Sequence, residues 1–326
     1  MRHIVVGSSG FVGQRLVQAL LEAGEPVVAF SRAPVAGGPT PERGAGGVFV
    51  PGDIRSAGDL ARLDLRPDDV VHHLAARHFG NGVPLHGRDA WFEEVNVGGT
   101  RQLLAAMRRA GTGRMVFFST DMTYGLPERL PVTPDHPQKP LGPYGRTKLE
   151  AEALIRRAAA EDGLRATIFR PRLISGPGRL GTLATLFKLI RKGLPVPMIG
   201  SGRNRYQMIS VDDCVRADLR AVAAGCPPGP FNLGSETPKT ARDLLGAVIR
   251  HAGSSSVLVP TPARLVTATL ALLDRFGRPL MYPEQYLSAD ADFVFDTRTT
   301  RTVLDWRAED DDVDVMIAAY EAFLRL

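Results

Sequence analysis

Tyr144 and Lys148 stand four residues apart in the stretch Tyr144-Gly145-Arg146-Thr147-Lys148. The stretch reads as helix, and that spacing places both side chains on one face, about one turn from each other. A phenol with a pKa near 10 is a poor proton donor or acceptor at neutral pH, and a nearby ammonium stabilises the phenolate and lowers that value. Tyr plus Lys is therefore an acid–base device in outline. The same spacing also fits an ordinary solvated helix face.

A second group of residues could hold an anion. The apolar run Ile4-Val5-Val6 leads into Gly7-Ser8-Ser9-Gly10-Phe11-Val12-Gly13, and Val12, Leu16, Leu20 and Leu21 then recur at helical spacing before Gly24 supplies a stop. A strand, a glycine-rich turn and a helix N-terminus make a diphosphate cradle, because glycines admit the phosphates to the backbone and the unpaired N–H groups favour the anion. A tight turn packing helix on strand is the plainer alternative. Further on, Val116-Phe117-Phe118 ends in Ser119-Thr120-Asp121. A hydroxyl at the carboxyl end of a parallel strand points into the crevice where doubly wound sheets bind ligands, although a simple strand-ending turn would look the same.

Together these residues resemble the extended short-chain dehydrogenase/reductase family, also called the NAD-dependent epimerase/dehydratase family. The likeness extends to Gly52-Asp53-Ile54, His73-Leu74-Ala75-Ala76, Asn96 with Gly99-Thr100, and Tyr124-Gly125. It continues through Arg170-Pro171, Gly176-Pro177-Gly178, Val211-Asp212-Asp213, Asn232-Leu233-Gly234 and Leu304-Asp305-Trp306. The resemblance implies an α/β protein, a Rossmann doubly wound parallel sheet with a smaller C-terminal substrate-binding lobe. Residues 1–171 would form the dinucleotide domain, with segments near 206–234 returning to it, and 172–326 mainly the lobe. It implies cofactor contacts from Gly7, Gly10, Phe11, Val12, Gly13, Ser31, Arg32, Asp53, Ile54, Leu74, Ala75, Ala76, Asn96, Tyr144, Lys148, Arg170 and Pro171. Tyr144 would move a proton to or from the substrate oxygen during hydride transfer, Thr120 would hydrogen-bond the same oxygen, and Lys148 would bind the nicotinamide ribose.

The end of the second strand bears on the cofactor. An acidic residue there would bind the adenosine ribose hydroxyls; Val27-Val28-Ala29-Phe30 is followed instead by Ser31 and Arg32. A guanidinium can hold a 2′-phosphate bidentately, so NADP(H) is favoured, with NAD(H) the alternative. Arg32 could also stack on adenine or lie in solvent. Asp53 matches the family residue that bonds the adenine edge, and it equally suits a turn cap after Gly52.

Three departures bear on the reaction. Sugar-nucleotide 4,6-dehydratases carry Thr-Asp-Glu where this chain has Thr120-Asp121-Met122, and a methionine cannot take the proton that elimination requires. Where sugar-nucleotide enzymes show an Asn and a later Arg, this chain has Leu173 and Tyr206, with Arg205 or Arg203 as replacement cation. Asp121, Met122, Leu173, Arg205 and Tyr206 are thus the candidate substrate contacts. The run Arg170-Pro171-Arg172-Leu173-Ile174 looks more like the branch of 3β-hydroxysteroid dehydrogenases and ketone reductases. The expected function is an oxidoreductase acting on a secondary alcohol or ketone, the alternative is a nucleotide-sugar epimerase that retains its cofactor, and a silent dinucleotide sensor is a third reading.

These residues need elements to carry them. Strands are expected at about 3–7, 27–30, 48–51, 69–74, 114–119 and 165–170, alternating with helices at about 11–23, 89–110 and 143–162, the pattern of a parallel sheet covered on both faces. Helices follow near 180–193, 212–225, 240–252, 263–276 and 312–325, and Ala33 to Gly47 reads as a loop. The helix at 263–276 is expected to cap the cleft or pack in the core. At 326 residues and a formal charge of +5, mostly from dispersed arginines, the chain looks like a soluble enzyme rather than a nucleic-acid binder. Two cysteines cannot build a disulfide framework, and neither a signal peptide nor a membrane-spanning stretch is apparent, so a cytoplasmic location is expected. The family likeness also implies a homodimer acting on a small molecule. Tandem His72-His73 is poor metal-ligand spacing, and Asp310-Asp311-Asp312 suits a helix start, so no metal is expected.

Overall fold

The computed structural model describes residues 1–34, 46–178, 180, 181 and 183–325. Most of the loop expected from Ala33 to Gly47 lies outside the described residues. Seven strands form one sheet: β1 (His3–Val6), β2 (Val27–Ser31), β3 (Gly47–Pro51), β4 (Val70–His73), β5 (Arg114–Phe118), β6 (Arg165–Pro171) and β7 (Phe231–Leu233). Their order is β7-β6-β5-β4-β1-β2-β3, and every pairing is parallel. The order reverses between β1 and β4, the switch point at which such sheets open a ligand crevice.

Burial on both faces explains why the strand sequences read as continuous apolar runs. Because side chains alternate, Val5, Val27, Ala29 and Val116 point to one face, against Leu16, Val17 and Leu20 of helix α1 (Phe11–Glu22). Ile4, Val6, Val28, Val71 and Phe117 point to the other, where Leu103 and Met107 of α2 (Thr100–Ala110) and Ala151 and Ile155 of α3 (Pro143–Asp162) cover them. Helix α4 (Val211–Ala223) joins the first layer through Cys214, Ala217 and Ala221. A separate core of Phe187, Ile190, Met198, Leu244, Val248, Met316 and Tyr320 holds the C-terminal helices together.

The single helix expected over 89–110 is instead a short helix Arg88–Glu93, a π-helical stretch Glu94–Gly99, and α2. Helix Ala263–Arg275 does not pack in the core: Leu270 is its buried residue, while Leu265 and Leu272 are exposed. No described helix is long and apolar enough to cross a membrane. Asp311 caps the last helix, Asp312–Leu324, by accepting from the Val313 N–H, as the acidic run implied. His72 and His73 face opposite sides of the sheet, paired with His3 at 2.9 Å and Thr100 at 2.8 Å, and no metal-binding group occurs among the described residues.

Candidate active site

The glycine turn is dictated by close approach. Gly7 has φ +95°, and a Cβ there would lie 2.5 Å from the Ala75 backbone nitrogen. A Cβ on Gly13 would lie 2.3 Å from the Gly7 carbonyl oxygen, so the first turn of α1 sits directly on the loop leaving β1. Gly10 caps α1 without a side-chain acceptor, which leaves the helix's first N–H groups to a ligand. The turn opens on a cleft of about 600 Å³. Gly7, Gly10, Phe11, Val12, Gly13, Ser31, Arg32, Asp53, Ile54, Leu74, Ala75, Ala76, Tyr144 and Lys148 all line it. These residues fit a dinucleotide: a diphosphate cradle at one end and an acid–base pair at the other.

Ser31 is buried at the end of β2, where its hydroxyl donates to the Ala33 carbonyl at 2.8 Å, and Arg32 beside it is exposed. Asp53 is held by Arg55, with nitrogen–oxygen distances of 3.0 and 2.7 Å, and that hydrogen bonding keeps its carboxyl below the ordinary range. Its Oδ1 also accepts from the Arg55 backbone N–H at 2.9 Å, the local turn-capping role.

Tyr144 is half-buried near the start of α3, with the Phe79 ring edge-on at 5.3 Å. Lys148 follows one turn on, buried, its Nζ donating to the Phe118 carbonyl at 2.6 Å and lying 4.0 Å from the Phe117 ring centre. Burial pushes the ammonium down to about 7, against the pull of Glu152 another turn along the same face. Glu152 itself is fully buried. Burial works against its charge, but bonds from Arg170, Ser119 and Arg156 outweigh it and hold the carboxyl below its usual range. Arg170 grips it at 2.6 and 3.0 Å and donates to the Tyr124 hydroxyl at 2.8 Å, which in turn donates to Asn232 at 2.7 Å. This buried polar chain fixes α3 against β5, β6 and β7.

Thr120 donates its hydroxyl to Asp121 Oδ1 at 2.9 Å and accepts from the Met122 N–H at 3.3 Å. Asp121 is paired with Arg172, whose guanidinium lies 4.3 Å from the Phe293 ring centre and 5.3 Å from that of Tyr206. The cation beside Tyr206 is thus Arg172, not Arg203 or Arg205. Arg205 is exposed, pairs with Asp292 at 3.7 Å, and lines a separate hollow of about 430 Å³ with Gln207 and Glu236. Neither Thr120 nor any of Asp121, Met122, Leu173, Arg205 and Tyr206 lines the larger cleft; Thr120 is buried next to Ser119, which does line it.

Three residues expected at the cofactor are elsewhere. Asn96 is buried in the π-helical stretch, where its amide accepts from the Arg77 N–H at 2.8 Å and donates to Thr147 at 3.1 Å, tying the loop after β4 to α3. Arg170 is committed to Glu152, and Pro171, the last residue of β6, is not among the residues that line the cleft. Ser119, one of the strand-end hydroxyls expected at the crevice, does line the cleft, whereas sequence reasoning missed Glu152, Arg172 and Glu284. Glu152 had one available signal, since it continues the four-residue spacing of Tyr144 and Lys148 along one helix face.

Residues 3–234 match the model of the NAD dependent epimerase/dehydratase family. A UDP-glucose 4-epimerase of Streptomyces lividans is 39% identical over 171 residues, 51% of this chain and 50% of its own length. A 2-alkyl-3-oxoalkanoate reductase of Stenotrophomonas maltophilia is 31% identical over 279 residues, 79% of this chain and 77% of its own. The crystal structure of a Thermotoga maritima UDP-glucose 4-epimerase with UDP-glucose superposes with a TM-score of 0.80 at 24% identity, covering 100% of this chain and 99% of that one, which shows the shared fold. The chain belongs to the NAD dependent epimerase/dehydratase family. It is an NAD(P)-dependent enzyme of the extended short-chain dehydrogenase/reductase type.

Proposed function

We propose that this enzyme interconverts a secondary alcohol and a ketone on a small molecule, with Tyr144 as its acid and base. The observation that carries the reading is the placement of Tyr144 and Lys148 on the wall of the same cleft that the glycine turn opens on. A nicotinamide dinucleotide, when bound, supplies or accepts the hydride. The glycine turn and the start of α1 would hold its diphosphate, Leu74 to Ala76 wall the cleft, and Lys148 would hold the nicotinamide ribose. Tyr144 gives its phenolic proton to a ketone oxygen, or takes the proton of an alcohol, with the Lys148 cation favouring the phenolate. Thr120 bonds the same oxygen. To donate to that oxygen the Thr120 hydroxyl turns away from Asp121, to which its hydrogen is directed in this structure.

The exposed guanidinium of Arg32 beside the cleft, with no acidic residue at the end of β2, supports NADP(H) over NAD(H). Elimination of water is not part of this reading, since Met122 offers no base. A second reading, an epimerase that retains its cofactor through the cycle, is favoured by the Streptomyces lividans relative. The reading also places the enzyme in the cytoplasm, supported by two buried free cysteines, and, by family likeness, as a homodimer.

Replacing Tyr144 by Phe tests the assignment. Hydride transfer is expected to fall by ~10²–10⁴-fold with cofactor affinity nearly unchanged, because the acid–base proton alone is lost. Near-normal turnover in Tyr144→Phe would sink it. Mass spectrometry of molecules that leave with the purified protein separates the two readings: a retained sugar nucleotide marks the epimerase.

A further inference from the structure

The N-terminus of α3 begins at Gly142, which has no side chain to cap it, yet two of its first N–H groups are satisfied from far along the chain. The Glu284 carboxylate accepts from the Tyr144 N–H and from the Gly145 N–H, each at 2.9 Å. Glu284 is 4% exposed. It sits in the short helix Pro283–Tyr286, and its neighbour Tyr282 stacks on Phe79 at 5.2 Å, the same ring that meets Tyr144 edge-on. The segment around 282–286 therefore grips Tyr144 twice, at its backbone and through an aromatic ring.

We infer that Glu284 is a positioning residue for Tyr144: it docks the 282–286 segment on the start of the catalytic helix and places a negative charge against the residue that must ionise. The physical case rests on three points. Orphan N–H groups at a buried helix start need an acceptor, and a carboxylate there gains from both hydrogen bonds and the helix dipole. Gly142 is required by this contact, since a Cβ would lie 2.4 Å from Glu284 Cγ. The other charges at this helix start are largely matched in pairs. Arg146 pairs with Asp89 at 3.0 Å and Arg88 with Asp274 at 2.8 Å; Glu284 before Tyr144 and Lys148 one turn after it are the buried ionisable groups on either side, and Glu152 a turn further on is paired with Arg170. A buried carboxylate disfavours a phenolate nearby, so Glu284 restrains Tyr144 as an acid, and in the cofactor-free chain Lys148, pushed down to about 7, has given up its proton before the phenol ionises.

The inference rests on Tyr144 being the acid–base group, and its test needs no substrate. Tyrosinate absorbance is titrated against pH in the cofactor-free full chain and in Tyr144→Phe, and the difference isolates the Tyr144 phenol. The pair is then repeated in a Glu284→Gln background, where the side chain keeps its shape and loses its charge. The ionisation constant of Tyr144 is expected to rise at least about threefold in Glu284→Gln. A constant unchanged within twofold overturns the inference. Gly142→Ala, which displaces Glu284 and keeps its charge in the chain, is read the same way if Glu284→Gln does not fold. Should Glu284→Gln shift the phenol while no alcohol or ketone is turned over by the unaltered chain, the proposed function fails and the positioning role stands.

Discussion

Burying Lys148 carries a cost in stability beside the chemistry proposed for it. Its folded-state value of about 7 lies below the ordinary 10.5, so the unfolded chain binds this proton more tightly. Between those two pH values the unfolded state holds more of the proton than the folded state, and stability from this group rises as pH climbs through that window. Below about pH 7 the full burden of burying a charged ammonium is present. Lys148→Met is therefore expected to raise the melting temperature of the cofactor-free protein by a few degrees at pH 7, to flatten the rise in stability from about 7 to 10.5, and to abolish turnover. Melting curves across that range check it. Arg32 makes a separate case. If it binds a 2′-phosphate, Arg32→Ala weakens NADPH by roughly 1.5–3 kcal/mol, the range for a charge-assisted hydrogen bond, and leaves NADH nearly unchanged. Equal losses for both cofactors, measured by fluorescence titration, would assign Arg32 to adenine stacking instead.

Elements were legible in the sequence where local pattern decided them. β1, β2 and β4 are buried throughout, and the intervening helices carry one apolar stripe, so the alternation of period and run length marked each of them. The strands Leu173–Ser175, Met208–Ser210 and Phe231–Leu233 have three residues each, too short for any period, and they form because distant partners hold them. The site divides in the same way. Tyr144, Lys148 and the glycine turn announce themselves by spacing, whereas Arg172 meets Asp121 across 51 positions and Glu284 meets Tyr144 across 140, distances that leave no local trace. The turn between β1 and α1 carries its own prediction. A Cβ at Gly13 meets the rigid Gly7 carbonyl at 2.3 Å and cannot be accommodated by a side-chain rotation. Gly13→Ala should thus weaken both NADH and NADPH by at least about tenfold, the scale of an overpacked backbone contact, and lower the melting temperature. Unchanged affinity for both dinucleotides would show that the cradle does not hold the diphosphate.

At the scale of the whole molecule, the strand ends of the sheet carry the cleft, and residues from both halves, Phe79, Phe92 and Glu284, surround Tyr144, so the charge around them bears on substrate class. A nucleoside diphosphate needs cations that are free to meet it, through charge-assisted bonds. Among the described residues, four guanidinium groups of this part of the chain are engaged within the protein: Arg172 with Asp121, Arg88 with Asp274, Arg77 with Glu94, and Arg205 with Asp292. Arg172 is the best placed, beside Tyr206, yet a diphosphate could reach it only by displacing a buried carboxylate that would be left without its partner. The wall beside Tyr144 is aromatic instead, with Phe79, Phe92 and Tyr282 in contact around it. Such a mouth suits an uncharged ketone or alcohol better than a diphosphate. Calorimetric titration of UDP, GDP and dTDP into cofactor-loaded protein is expected to show binding weaker than about 100 μM for all three, that is, less than roughly 5.5 kcal/mol of favourable free energy. Arg172→Met, which removes the buried cation, should leave those weak affinities unaltered while lowering turnover through Thr120, whose hydroxyl donates to the Asp121 carboxylate that Arg172 holds in place. Micromolar binding by any of the three nucleotides, lost in Arg172→Met, would mean that the substrate opens the Asp121 pair, and would put the nucleotide-sugar epimerase ahead of the alcohol–ketone oxidoreductase.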